Sequence, residues 1–285
     1  MRRVVVTGAS GKIGSALLRE LCDHGYEARA VDVARSPLDD AFPYRRADLR
    51  ELWQAIEALR GADAVVHLAA IGVPEPDVEH RALAEQAVLS TNLVSTYNVF
   101  TAAAMVGAKR VVWASSETTM GTPFERARVS YVPLDEVHPL YPNSTYALSK
   151  AMGEELARQV SRWTGVTIVG LRFSVVMDAR DYGELHQHWS DPARGRWNLW
   201  SYVDLRDAVR ACRLALRARV DRADVCIVAA ADTTMDRPTR ELLAGAMPDL
   251  RPPADLPENG SLLSSARACR VLGYVPTHTW RESGV

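Results

Sequence analysis

Apolar and polar positions over the first 173 residues alternate between two periods. Residues 3–7 are a short β-branched run. Residues 12–24 place Ile13, Leu17, Leu18 and Leu21 at helical spacing, ahead of Gly25, a residue suited to ending a helix. Residues 27–32 read as a second strand, 52–59 as an amphipathic helix, 64–69 as a buried strand and 90–106 as a long helix. Strand 110–115, helix 146–163 and strand 167–173 continue the rhythm. Strands alternating with helices predict right-handed βαβ units, hence an α/β fold with a doubly wound parallel sheet covered on both faces.

After Phe173 the rhythm breaks. The stretch 174–202 carries Tyr182, His186, His188, Trp189, Trp197 and Trp200 without a clear period. A helix over 204–217 and a strand over 225–229 follow, and 232–285 is rich in Pro and Arg. The expected division is a main sheet domain over 1–173, joined by 204–230, and a smaller C-terminal substrate lobe built from 174–203 and 231–285.

Composition narrows the class. A chain of 285 residues, 47% hydrophobic and 24% charged, is long enough to bury a large core. Its 34 basic and 35 acidic residues give a formal net charge of -1, with no basic excess to attract nucleic acid or an anionic membrane. No run approaches the ~18 apolar residues of a transmembrane helix. The start turns Gly-rich too early for a signal peptide. Cys22, Cys212, Cys226 and Cys269 are scattered without CxxC spacing, which suits a reducing cytoplasm and argues against a disulfide framework or a zinc site. Lysine occurs only at Lys12, Lys109 and Lys150, so each merits inspection.

Thr7-Gly8-Ala9-Ser10-Gly11-Lys12-Ile13-Gly14 lies between the first strand and the first helix. Glycine lets a backbone turn sharply and approach a pyrophosphate, and a helix N-terminus offers free N–H groups and partial positive charge. In that setting Gly8, Ser10, Gly11, Lys12, Ile13 and Gly14 form a dinucleotide-binding loop. Asp32 ends the second strand, roughly 20 residues on, where an acid binds ribose hydroxyls. A carboxylate there repels a 2′-phosphate and favours NAD over NADP, although Arg35 stands nearby. Asp48 and Leu49 follow the third strand, where Asp48 reaches adenine or caps a helix.

Tyr146-Ala147-Leu148-Ser149-Lys150 is YxxxK, which puts the phenol and the amine on one helix face. An ammonium beside a phenol favours the phenolate. Bringing a tyrosine from ~10 to near neutrality needs roughly 4 kcal/mol. Tyr146 would then take or give the proton that accompanies hydride transfer. Ser115 and Ser116 end a strand whose C-terminal edge faces the ligand crevice, so Ser116 is placed to hydrogen-bond the reacting oxygen.

These motifs occur together with His67-Leu68-Ala69-Ala70, Asn92 and Tyr202-Val203-Asp204-Leu205-Arg206-Asp207, in one order. The chain resembles the extended short-chain dehydrogenase/reductase family, of the NAD-dependent epimerase/dehydratase type. The resemblance spans essentially its whole length, including the Leu134-Asp135-Glu136 and Pro142-Asn143-Ser144 approach to the YxxxK helix. It implies a Rossmann domain, bound NAD(P) and a catalytic set of Ser116, Tyr146 and Lys150. Ser116 would position substrate, Tyr146 act as acid/base, and Lys150 bind ribose and tune the phenol. Leu68, Ala69 and Ala70 would line the nicotinamide-ribose side, with Phe173 in the cofactor set. Asn92 would support the strand or a water beneath the cofactor. Substrate contacts would come from Ser115, Ser116, Glu117, Thr118, Ser144 and Ser174, and no metal is expected.

Other side chains favour plainer readings. His138, His186 and His188 lack a carboxylate at ligand spacing. Trp189, Trp197 and Trp200 suit lobe packing better than sugar stacking, and Arg180, Arg194 and Arg196 suit a solvated surface. Two branches of the resemblance compete: dehydrogenases similar to uronate dehydrogenase, and sugar-nucleotide 4-epimerases similar to UDP-glucose 4-epimerase. The short lobe favours the first, as does Val175 in Arg172-Phe173-Ser174-Val175, where sugar-nucleotide enzymes carry asparagine. A non-catalytic NAD-binding regulator is disfavoured because Tyr146 and Lys150 are both present. The expectation is an oxidoreductase acting on a sugar, sugar-acid or polyol hydroxyl. Leu93, Tyr97, Phe100 and Met152 supply apolar surface for a homodimer.

Overall fold

A computed structural model of the chain describes residues 1–34, 41–72, 81–124 and 129–283, so Arg35 lies outside the described residues. The strands are β1 (Arg3–Thr7), β2 (Glu27–Asp32), β3 (Tyr44–Arg46), β4 (Ala64–His67), β5 (Arg110–Ser116), β6 (Thr167–Phe173), β7 (Val176–Met177), β8 (Val203–Asp204) and β9 (Ala223–Val228). The α-helices are α1 (Lys12–Asp23), α2 (Leu52–Leu59), α3 (Arg81–Met105), α4 (Thr145–Thr164), α5 (Ala179–Tyr182), α6 (His186–Trp189), α7 (Leu205–Ala215), α8 (Thr239–Ala246) and α9 (Ala266–Leu272). Seven strands form one parallel sheet in the order β3-β2-β1-β4-β5-β6-β9. The chain direction across the sheet reverses between β1 and β4, which opens a crevice at their C-terminal ends.

Alternation along each strand sorts its side chains to two cores. Val4 and Val6 face α1 and α7, where Leu17, Leu18, Leu21, Ala208, Ala211 and Cys212 are buried. Val5, Val65 and Val111 face α3 and α4, against Phe100, Ala103, Ala157 and Val160. Phe100 meets Trp113 edge-on at 5.8 Å, so it faces the sheet and adds nothing to an exposed helix surface. Truncating Leu17, which has no exposed surface, to alanine costs ~2–5 kcal/mol.

Most boundaries fall within a few residues of the sequence expectation. The long helix begins at Arg81 rather than at residue 90, because Ala84, Glu85, Gln86 and Ala87 are good helix formers. Strand β4 stops at His67, two residues early. The chain turns there to lay Leu68 and Ala69 against Gly8. Beyond β6 the hydrophobic pattern is carried by short pieces. A third core gathers Leu199, Trp200, Leu242 and Leu262, and takes in Met120, Phe124, Val132 and Leu134 from the connection between β5 and α4. Tyr182, Tyr202 and Trp280 form a fourth. Trp200 is fully buried, and Trp189 stacks on Trp280 at 5.2 Å. Among the described residues no helix is long and apolar enough to cross a membrane.

Candidate active site

The glycine loop is shaped by what a methyl group would hit. Gly8 has φ +68°, and a Cβ there would lie 2.5 Å from the Ala69 backbone nitrogen. A Cβ on Gly14 would lie 2.2 Å from the Gly8 carbonyl oxygen. Both glycines therefore let α1 and the β4 exit close around the loop. No side chain caps α1 at Gly11, so its first N–H groups are open to an anion. Ile13 packs onto the core beneath the loop.

Asp32 stands at the far end of this cleft. One carboxylate oxygen accepts from the Ser10 N–H at 3.0 Å, and the other accepts from the Val33 N–H at 2.7 Å. Ser10 donates its hydroxyl to the Ala34 carbonyl at 2.8 Å. Gly8, Gly11, Asp32, Asp48, Leu49, Leu68, Ala69 and Ala70 line one cavity of about 220 Å³. Asp48 is held by Arg50, whose guanidinium keeps the carboxyl below its ordinary pKa. It also accepts from the Arg50 N–H at 3.0 Å, so it braces the turn rather than capping α2 at Glu51. Asn92 clasps the β4 exit from α3: it accepts from the Ile71 N–H at 2.8 Å and donates to the Ile71 carbonyl at 3.0 Å. These residues suit a dinucleotide: a glycine cradle that a Cβ would fill, an uncapped helix start, and an acid at the ribose end. Lys12 differs. Its amine donates to Asp181 at 2.6 Å and to the Val176 carbonyl at 3.4 Å, bridging the loop to α5.

Beyond the cavity, β5 and α4 bring Ser116, Tyr146 and Lys150 together. Ser144 caps α4 by accepting from the Ala147 N–H at 3.1 Å, and is exposed on that task rather than turned inward. Gly153 lets α4 approach the sheet, since a Cβ would lie 2.8 Å from the Trp113 ring. The Lys150 amine lies 5.8 Å from the Trp113 ring centroid and 5.4 Å from that of Tyr146. It donates to the Ala114 carbonyl at 2.8 Å, and burial lowers its pKa to about 8. Burial also raises the Tyr146 pKa. The Ser116 hydroxyl opposes that rise and the Glu117 carboxyl adds to it. Burial is the largest influence on the phenol, and the Lys150 amine, 5.4 Å from its ring centroid, donates to the Ala114 carbonyl.

Several expected substrate contacts are engaged elsewhere. Ser115 donates to Glu154 at 2.6 Å, and Glu154 forms a two-pronged pair with Arg172 at 2.8 Å, beneath the site. Thr118 donates its hydroxyl to Ser116 at 2.9 Å and its N–H to the same oxygen at 3.2 Å. Ser174 donates to Glu117 at 2.6 Å. Phe173 ends β6 with 6% of its surface exposed. The His138 ring bonds to the Pro139 carbonyl, and among the described residues no group of three metal-binding side chains occurs. Arg180 pairs with Asp178 at 2.8 Å.

Sequence reasoning named His67 only as part of a motif, without a role, and missed Asn198. His67 shares a 2.7 Å hydrogen bond with Thr7 and a 3.3 Å one with Thr96. Burial and the Lys150 charge hold its pKa near 3, so a neutral ring sits below the cleft. Asn198 reaches Glu117 from the lobe at 3.4 Å. Nothing local in the sequence signals that contact, which joins residues 81 positions apart.

Comparison with known proteins agrees with this architecture. The chain is 30% identical over 226 residues to an NAD-dependent glucose-6-phosphate dehydrogenase of Haloferax volcanii, covering 73% of this chain and 79% of that one. It is 27% identical over 172 residues to a uronate dehydrogenase of Pseudomonas syringae pv. tomato, covering 60% of this chain and 58% of that enzyme. A solved structure of a UDP-galactose 4-epimerase superposes with a TM-score of 0.71 at 27% identity, over 99% of this chain and 95% of that one. The sequence profile of the NAD dependent epimerase/dehydratase family matches residues 4–229. With its glycine cradle, Ser116 and the YxxxK helix on one crevice, the chain belongs to that family.

Proposed function

We propose that this protein is an NAD-dependent oxidoreductase that moves hydride between a hydroxyl of a sugar, sugar acid or polyol and nicotinamide, with Ser116, Tyr146 and Lys150 as catalytic residues. The observation that carries this reading is the meeting of Ser116 and Tyr146 at the C-terminal edge of β5, next to a cleft lined by Gly8, Gly11 and Asp32. Bound NAD would supply the hydride acceptor and a positively charged ring. Gly8 and Gly11 hold the pyrophosphate end, and Asp32 accepts from ribose hydroxyls and disfavours a 2′-phosphate, which selects NAD over NADP.

Ser116 orients the reacting hydroxyl. Its oxygen accepts two hydrogen bonds from Thr118, which leaves its own proton for Tyr146 and a substrate oxygen bound beside the phenol. Tyr146 takes the hydroxyl proton during oxidation and returns it during reduction. Lys150 places a cation 5.4 Å from the centre of the phenol ring, and would hold the ribose of a bound dinucleotide. Glucose-6-phosphate and uronate dehydrogenases among the relatives support a dehydrogenase. A panel of aldoses, uronates and polyols mixed with NAD tests it by NADH absorbance. Turnover of UDP-galactose without net NADH would instead make it an epimerase.

The protein acts as a homodimer in this reading. Val94 and Tyr97 on α3, and Leu148 and Met152 on α4, each expose two-fifths or more of their surface side by side on packed helices. A one-chain mass by light scattering would remove the dimer.

A further inference from the structure

Glu117 follows the catalytic serine directly, yet it exposes only 2% of its surface. Three elements converge on its carboxyl. It begins the 3-10 turn after β5. Ser174, just past β6, donates to one oxygen at 2.6 Å, and Asn198 of the lobe donates to the other at 3.4 Å. Among the described residues no cation answers it: Arg172 is taken by Glu154, and Lys150 by the Ala114 carbonyl. A buried acid without a partner charge costs stability, and an amide of the same shape would not.

The segment that delivers Asn198 is itself strained. Leu199 and Trp200 have φ of 58° and 54°, a left-handed conformation unfavourable for large side chains, and both are fully buried. Asn198 is fixed by a 2.7 Å bond to the Ser201 carbonyl, and the Trp200 indole donates to the Pro192 carbonyl at 2.7 Å. Strain of this kind persists where the surroundings over-determine it, and it gathers at working sites.

We propose that Glu117 is a positioning residue for the Tyr146 chemistry. Through Ser174 and Asn198 it fixes the substrate lobe against the end of β5, and its carboxyl sets the field in which the phenol exchanges its proton. The inference rests on the oxidoreductase reading and deepens it. The titratable group facing Glu117 from α4 is Tyr146, and Ser174 and Asn198, facing it from the other two sides, are neutral. Burial raises the Glu117 pKa to about 8, so the carboxyl is mostly uncharged at pH 7. When it ionises, its charge pushes the phenol pKa further up.

Glu117→Gln keeps the shape and removes the ionisation. Two readouts need no turnover. Wild type at pH 7 should show an infrared carboxylic-acid stretch that Glu117→Gln lacks. The second is melting. The folded pKa lies above the unfolded value of 4.5, so the stability that Glu117 contributes is present below pH 4.5 and is lost as pH rises to about 8. Glu117→Gln should therefore melt higher than wild type at pH 8. The third readout is the pH profile of kcat/KM, whose rising limb should move to lower pH in Glu117→Gln. Asn198→Ala removes a donor that favours the charged carboxyl, so it moves the limb in the same direction and tests the proposal if Glu117→Gln does not fold. An unmoved limb in both variants, or a Glu117→Gln protein that lacks the higher melting point, overturns it. Dehydrogenase activity absent from wild type while the infrared and melting results hold would count against the oxidoreductase reading and not against the neutral, lobe-fixing carboxyl.

Discussion

Thr118 gives both its hydroxyl and its backbone N–H to the oxygen of Ser116, at 2.9 and 3.2 Å. The serine oxygen has two lone pairs, and both are occupied. Its proton is left for the Tyr146 side of the crevice, where the serine hydroxyl meets the phenol. Thr118→Val keeps the shape and removes one donor. It should lower kcat by about 5–10-fold with little change in KM, the scale of one net hydrogen bond. Thr118→Ser should restore most of the rate. Steady-state kinetics on the best substrate of the panel checks both.

Removing the phenol proposed to carry the proton should have a larger effect. Tyr146→Phe should lose ~10²–10⁴ in kcat while calorimetry finds NAD affinity within a few-fold of wild type. Equal losses in binding and rate would mean that the phenol serves the cofactor rather than the proton.

The glycine loop was legible because its geometry is local. Gly8, Gly11 and Gly14 lie within seven residues, and Asp32 ends the next strand. Sheet and helices were legible for a similar reason: Val4, Val5 and Val6 alternate between two cores, and Leu17, Leu18 and Leu21 share a stripe. The lobe was not, since 174–203 packs through short turns whose spacing follows no helix or strand period. Contacts between distant residues were equally hidden. That Ser115 turns down to Glu154, or that the Lys150 amine meets the Ala114 carbonyl, depends on how α4 lies on β5.

Gly14→Ala offers a direct test of the cradle. The added methyl would sit 2.2 Å from the Gly8 carbonyl oxygen, so backbone must move. NAD affinity should fall by at least ~100-fold, with stability lower by about 1–3 kcal/mol. Unchanged binding by calorimetry would show that the pyrophosphate lies elsewhere.

Beneath the site, Arg172 and Glu154 are 5% and 9% exposed. Glu154→Ala would leave the guanidinium buried without its partner, a loss of ~3–5 kcal/mol. Urea unfolding should report that loss as a lower midpoint. Arg172→Met together with Glu154→Leu should recover much of it, since paired removal leaves no stranded charge.

His67 predicts an acid-side weakness. Its folded pKa near 3 lies below the ordinary 6.5, so the unfolded chain binds the proton more readily. Its contribution is complete above pH 6.5 and declines as pH falls toward 3. Unfolding midpoints should drop across that window, and His67→Gln should flatten the drop. A wild-type slope shared by the variant would assign the acid lability to other groups.

The Lys12 amine, which starts α1 and rests on Asp181 of α5, has a kinetic meaning. It ties the start of α1, beside the glycine loop, to α5 and the end of β7. Such a fastening weakens as dissolved ions shield it. If this contact opens when a dinucleotide enters or leaves, coenzyme exchange should quicken in brine and slow in dilute buffer, a dependence that Lys12→Met would abolish.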